Sequence, residues 1–162
     1  MAIDNVHERE LPVGGPSAEA LIDGLASRDD WLWPHDRWPP MHLDDGLNVG
    51  SQGGHGPIHY RVLEHQPGRL IRFAFTAPVG LVGEHGFELD DGKERVVMRH
   101  MLRGRAIGRV RWQWPLLFEP LHNALIEDSL DRASAAVSDS AYRPRRWTTR
   151  TRALRWVLKG LL

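Results

Sequence analysis

The chain contains no cysteine, which excludes a disulfide scaffold, a thiolate zinc site and a cysteine nucleophile, and fits a reducing compartment. It has no apolar run long enough to span a bilayer. Its first thirty residues carry Asp4, Glu8, Arg9, Glu10 and Glu19 in place of the unbroken apolar stretch of a signal peptide, so a cytoplasmic protein is the expectation. There is no Gly-rich phosphate loop leading into a helix and no nucleophilic serine elbow. Net charge is also missing, because 21 basic residues meet 21 acidic ones. That balance conceals an asymmetry. Residues 138 to 162 hold six arginines and Lys159 against Asp139 alone, a charge of +6 offset by −6 over the rest of the chain. An acidic body repels a phosphate backbone, so no nucleic-acid partner is expected.

What is present is ordinary globular material, 41% hydrophobic and 26% charged over 162 residues, enough for one domain with an added segment. The run VGEHGFELDDGKERVVMRHML (82 to 102) reads as a β-hairpin, with Asp91-Gly92 as a strong two-residue turn signal. Centring the turn there sets Glu88 opposite Arg95 and Glu84 opposite Arg99, giving one face cross-strand ion pairs. The other face carries Gly83, His85, Phe87 and Leu89 with Val96, Met98, His100 and Leu102. A second hairpin joins Ile58–His65 to Arg69–Thr76 through Gln66-Pro67-Gly68-Arg69, where proline and glycine suit the two central turn positions. It places Val62 opposite Phe73 and Tyr60 opposite Phe75. Consecutive hairpins imply an antiparallel sheet with one face covered and one in water.

A first strand is expected over Asn5 to Val13. A short helix from about 17 to 27 follows, with Ser17 as N-cap. Residues 31 to 57, rich in tryptophan, proline and glycine, read as a functional loop with a short strand near Leu47 to Gly50. From about Ala106 the apolar period changes to three-to-four spacing, through Trp114, Leu121, Leu125, Leu130 and Val137. Pro115 and Pro120 interrupt this stripe, so the dependable helix is 117 to 137. A meander plus a long terminal helix is an α+β arrangement.

The element order and the runs GGHGPIHYRVLEHQPGRLIRFAFTAP (53 to 78), GEHGFELDDGKERVVMRHML (83 to 102) and WPLLFEPLHNALIEDSLDRA (114 to 133) resemble the START-related superfamily often called SRPBCC. That superfamily includes pollen-allergen-type proteins, START lipid carriers and aromatic polyketide cyclases. The resemblance covers about residues 5 to 137. It implies a helix-grip fold, in which an antiparallel sheet wraps around a long C-terminal helix with a cavity between them. Residues 1–137 then form the ligand-binding domain, and 138–162 a basic amphipathic tail. Members share a container rather than a catalytic set, so the resemblance names no ligand and implies no cofactor.

The residues expected to meet a ligand are Tyr60, Phe73 and Phe75 on one hairpin, His85, Phe87, Met98 and His100 on the other, and Trp114 and His122 on the helix. His85 and His100 are diagonal neighbours on a core face, about 7–8 Å apart at Cα. Two readings stand side by side. Each imidazole fills the core against a carbonyl, or both contact a bound molecule in their neutral form. His85, His100 and His122 match no zinc-ligand spacing, so no metal is expected. Trp31, Trp33 and Trp38, with His35 and Asp36, form either a lid over the cavity or plain loop packing. His55 in GGHGP reads as a loop-shaping residue. Glu127, Asp128 and Asp131 read as a solvated helix face with local ion pairs.

In the tail, Trp147, Thr151, Leu154, Leu158 and Leu161 share one helical face, and Arg152, Arg155 and Lys159 another. Residues 143–162 thus suit an anionic membrane surface, a second copy, or the protein's own body. Three functions follow in order: binding of a small hydrophobic or aromatic ligand, a cyclase or dehydratase-type enzyme using the cavity histidines, and an interaction module acting through the tail.

Overall fold

The computed structural model describes residues 1–12, 18–91, 95–138 and 140–158. Seven strands form one antiparallel sheet: β1 (Ala2–Leu11), β2 (His42–Leu43), β3 (Gln52–His55), β4 (Ile58–Gln66), β5 (Leu70–Ala77), β6 (Leu81–Asp91) and β7 (Val96–Ala106). Their spatial order is β1-β7-β6-β5-β4-β3-β2. Strands β2 to β7 thus form a continuous meander, and β1 closes its far edge against β7. The short helix α1 (Glu19–Asp23) follows β1. After β7 comes one long helical stretch: α2 (Val110–Gln113), a π-helical turn (Trp114–Phe118) and α3 (Glu119–Val137). Helix α4 (Thr149–Val157) lies in the tail. This is the α+β architecture expected, with the long helix packed against the sheet.

The β4–β5 hairpin has the expected pairs, Tyr60 opposite Phe75 and Val62 opposite Phe73. The Arg69 amide donates to the Gln66 carbonyl at 2.9 Å, and Gly68 takes a φ of +68°, the type II geometry that favours glycine at that position. The β6–β7 pairing differs from the expected register. Glu88 faces Arg99 and Glu84 faces Arg103, a displacement of four residues along the partner strand. The connection between Asp91 and Val96 is longer than a two-residue turn, and the Gly92 expected to shape it lies outside the described residues. Because side chains alternate with period two, an even displacement leaves every one on its expected face. His85 and His100 therefore remain diagonal neighbours.

Other boundaries move as well. The first strand runs Ala2–Leu11 rather than 5 to 13, and α1 covers five residues. Ser17, the expected N-cap, lies outside the described residues. Residues 47 to 50 form a turn; the strands of that region are His42–Leu43 and Gln52–His55. The prolines do not divide the long helix. The π-helical turn spans Pro115 and leads directly into α3, so helical structure begins at Val110 instead of 117. A wider turn accommodates a ring that would otherwise clash with the preceding carbonyl.

Gly83 of β6 faces Gly104 of β7, where the two backbones come close. A Cβ on Gly83 would stand 2.3 Å from the Arg103 carbonyl oxygen, and its φ is +141°. Gly83→Ala is accordingly expected to lower the unfolding free energy by about 1–3 kcal/mol, measured by urea denaturation. An unchanged midpoint would show that the strands separate here at no cost.

Candidate functional site: an apolar chamber lined by histidines

The inward residues form two packed clusters. The larger joins α1, β4, β5, β6 and α3 through residues such as Ile22, Val62, Ile71 and Leu130. The smaller gathers Ile3, Leu81, Leu102, Ala106, Val110 and Trp114 at the other end of the sheet. A cavity of about 250 Å³ is lined by members of both. Its sheet wall includes Phe73, Phe75, His85, Phe87 and His100, and its helical wall includes Trp114, Leu117, Leu121, His122 and Leu125. Trp33, Trp38 and Met41 from the 31–57 region, His55 from β3, and Leu158 beyond α4 complete it. Arg, Lys, Asp and Glu are absent from its described lining.

Seven of the nine expected contact residues therefore face one space: Phe73, Phe75, His85, Phe87, His100, Trp114 and His122. Tyr60 and Met98 do not. Both are fully buried, and Tyr60 stands behind the wall with its hydroxyl 3.2 Å from His55 Nδ1. The same bond alters the reading of His55. It serves as a cavity-lining residue and as the partner of a buried phenol, not only as a turn former. A polar residue directly before a Gly-Pro turn was the available signal. That the turn points it at Tyr60 depends on the β3–β4 register, in which Gly53 faces Tyr60.

The histidines are the unusual part. His100 is 1% exposed and His85 8%. Their rings stand 5.9 Å apart by centroid, and His122 stands 5.1 Å from His100. The His85 ring stacks on Phe73 and Phe75, at 5.2 and 4.6 Å. Among the described residues, His85 Nε2, His100 Nδ1 and both ring nitrogens of His122 are buried without a protein hydrogen-bond partner. Burial, reinforced by the neighbouring imidazoles, holds His85 and His100 well below the ordinary histidine value. Burial, with His7 nearby, takes His122 to about 3. Burial, with His59 nearby, takes His55 to about 4. Burial pushes the Tyr60 hydroxyl upward, so it stays protonated. At neutral pH the chamber is therefore uncharged, yet holds several hydrogen-bonding nitrogens. No group of three or more potential ligands among the described residues is arranged to hold a metal ion.

The chamber is closed on one side by the tail. Asp128, 0% exposed, accepts from Arg37 at 2.6 Å, from the Trp38 indole N–H at 2.8 Å and from the Trp147 indole N–H at 2.8 Å. The Arg155 guanidinium lies 4.3 Å over Trp38 and 4.6 Å over Trp147, and donates to the Arg37 carbonyl at 2.7 Å. Burial and the charge of Arg37 hold it below the usual arginine value. Trp147, Leu154 and Leu158 pack against the larger cluster, and Thr151 is buried. The expected apolar face of the tail is thus turned onto the protein's own body, while Lys159 and Leu161 lie outside the described residues.

Arg155, expected on the same helical face as Arg152, packs over two indole rings. One expectation is corrected here. The acidic residues of α3 are not a solvated face. Asp128 is the hub just described, and Glu127 and Asp131 bind Arg9 and Arg145, with His7 Nδ1 at 2.8 Å from Glu127.

Fold and site together define an α+β protein that holds an apolar chamber between an antiparallel sheet and a long helix. Solved structures share this fold. CalU16 from Micromonospora echinospora superposes with a TM-score of 0.56 over 96% of this chain and 82% of its own, at 11% identity. XoxI from Bacillus cereus gives 0.57 over 84% and 96%, at 17% identity. A protein from Nitrosospira multiformis gives 0.60 over 93% and 99%, at 10% identity. Likeness at these identities establishes the fold alone. Neither the family models nor the curated proteins contain a match to the chain. No described helix is long and apolar enough to cross a membrane.

Proposed function

We propose that the protein binds a small hydrophobic or aromatic molecule in the chamber between sheet and helix, in the manner of the SRPBCC carriers its sequence resembles. The observation that carries this reading is the chamber itself, at about 250 Å³. Apolar chambers with a few convergent polar groups are the usual form of a small-molecule site, typically about 300–1,000 Å³ for drug-sized ligands. This one suits a compact ligand of one or two rings. Several unpartnered imidazole nitrogens in an apolar wall are costly as pure structure, since each buried polar group without a partner costs about 1–3 kcal/mol. Use explains them better than packing does.

The cyclase or dehydratase reading draws on the same histidines, but a general base works best with a pKa near the operating pH. His85 and His100, the histidines that reading uses, are held by burial well below the ordinary histidine value. A neutral donor and acceptor for a bound molecule is the role their chemistry favours. The membrane-surface reading of the tail is weakened because Trp147, Leu154 and Leu158 are engaged internally.

The full-length chain is expected to bind an uncharged naphthylamine-type fluorescent probe saturably and one-to-one. The tail belongs in the experiment because Leu158 is part of the wall. Leu117→Trp, which fills the chamber from the helical side, should weaken that binding at least about tenfold, equivalent to about 1.4 kcal/mol. Non-saturable probe binding, or binding indifferent to this substitution, would remove the proposal.

A further inference from the structure

We infer that the chamber selects an uncharged aromatic molecule bearing one or two hydroxyl groups, with the His85, His100 and His122 imidazoles as the partners of those hydroxyls. The inference rests on the ligand-binding reading above and narrows it to a chemical class.

Charge is considered first. The described lining contains no Arg, Lys, Asp or Glu, and an ionised group taken out of water without a partner is strongly disfavoured. A carboxylate would meet neutral imidazoles with no cation to balance it. Hydrogen-bonding capacity is the second constraint. A neutral imidazole has one N–H donor and one lone-pair acceptor. With centroids 5.9 and 5.1 Å apart along His85, His100 and His122, the three rings offer both functions in succession. A hydroxyl is the smallest group that answers both, accepting from one ring and donating to the next. An ether or ketone only accepts, and leaves the lone pairs of the wall unanswered. A sugar brings more hydroxyls than His85 Nε2, His100 Nδ1 and the two His122 nitrogens can satisfy.

Shape is the third constraint. The remaining wall is rich in flat rings, with Phe73, Phe75, Phe87, Trp33, Trp38 and Trp114 all facing the space. Such a wall favours an aromatic ligand by stacked and edge contacts over a flexible acyl chain. The His85 ring, sandwiched against Phe73 and Phe75, is held in one orientation, so its hydrogen-bond direction is set before anything binds. A fixed polar group gains discrimination because an analogue lacking the hydroxyl leaves it unpaired.

The test is displacement of the uncharged probe from the full-length chain by naphthalene, 2-naphthol and 2-naphthoate. It is run at about pH 7.5, where a phenol of pKa near 10 is uncharged. 2-Naphthol should displace the probe at least about tenfold more tightly than naphthalene, and at least about tenfold more tightly than 2-naphthoate. In His100→Leu and His122→Leu the advantage of naphthol over naphthalene, taken as a ratio within each variant, should shrink to about threefold or less. Equal displacement by naphthol and naphthalene in the unaltered protein overturns the hydroxyl assignment and leaves hydrophobic binding standing. Naphthoate binding as tightly as naphthol overturns the exclusion of charge. Failure of the probe to bind at all overturns both the assignment and the reading beneath it.

Discussion

Asp128→Ala is expected to lower the unfolding free energy by about 3–5 kcal/mol and to release the tail from the body. The Asp128 carboxylate of α3 is fully buried and accepts from a guanidinium and two indoles supplied by two other parts of the chain: Arg37 and Trp38 before the meander, and Trp147 after α3. Removing it leaves the Arg37 guanidinium beside Arg155 without the ion-pair partner it has among the described residues, and takes the acceptor from both indole N–H groups. Trp38 is buried and Arg37 and Trp147 are partly buried, so an unmade bond there costs much of its desolvation. For a chain of this length the melting temperature should drop by roughly 10 °C. Trypsin should also cut the arginine-rich segment near Arg150 and Arg152 faster than in the unaltered protein. Asp128→Asn keeps one acceptor oxygen and should lose less. A loss under about 1 kcal/mol in Asp128→Ala would show that the hub is no stronger than a surface ion pair.

Acid should unfold the protein well before its carboxylates are protonated. His55 and His122 sit at about 4 and about 3 in the folded state, against about 6.5 in an unfolded chain. His85 and His100 are also held well below that value. Because these folded values are depressed, the unfolded state binds more protons below pH 6.5, and folding stability falls with falling pH. The stabilisation is complete above about pH 6.5 and is lost progressively toward pH 3–4, where His55 and His122 finally charge in the fold. At about 1.4 kcal/mol per unit, His55 alone accounts for about 3 kcal/mol and His122 for about 4–5. Domains hold about 5–15 kcal/mol in all. Cooperative unfolding near pH 5 is therefore the expected result, read by circular dichroism at fixed temperature. His122→Leu should flatten the pH dependence between 6.5 and 4. A profile that stays level down to pH 4 would mean the imidazoles reach solvent or find partners for their charged form.

How much of this was legible in the sequence differs between faces and partners. Alternation along β4, β5, β6 and β7 placed Phe73, Phe75, His85, Phe87 and His100 on one face. That result survived a four-residue error in the β6–β7 register, because face depends only on parity. The helical stripe carried Trp114, Leu121 and Leu125 inward for the same kind of reason, since period 3.6 is a local property. The error in register itself came from reading Asp91-Gly92 as a tight turn. Local turn chemistry cannot weigh what β7 meets on its other edge, where Arg99 and Arg103 form ion pairs with Glu8 and Asp4 of β1. Tyr60 was placed inward correctly. Whether an inward residue faces a chamber or solid packing depends on what stands opposite, and here His55 meets its hydroxyl.

Asp128 shows the limit most plainly. Its place on α3 lies between Leu125 and Leu130 of the inward stripe, and the stripe set it mainly outside. Only the arrival of Arg37, Trp38 and Trp147, separated from it by 91, 90 and 19 residues, makes a buried carboxylate tolerable. The tail was legible as an amphipathic helix and illegible in its destination, because an apolar face records that something covers it and not what does.

Periodicity, turn residues and composition, acting over a few neighbours, thus settled the α+β class, the two hairpins, the long helix and the inward histidines before any folding. Tertiary structure alone decided which residues line the chamber, its closure by Leu158 and the tryptophans, and the depressed protonation of its imidazoles. Each of these arises from burial and from contacts between distant segments, and free energies of that kind have no local signature in a chain.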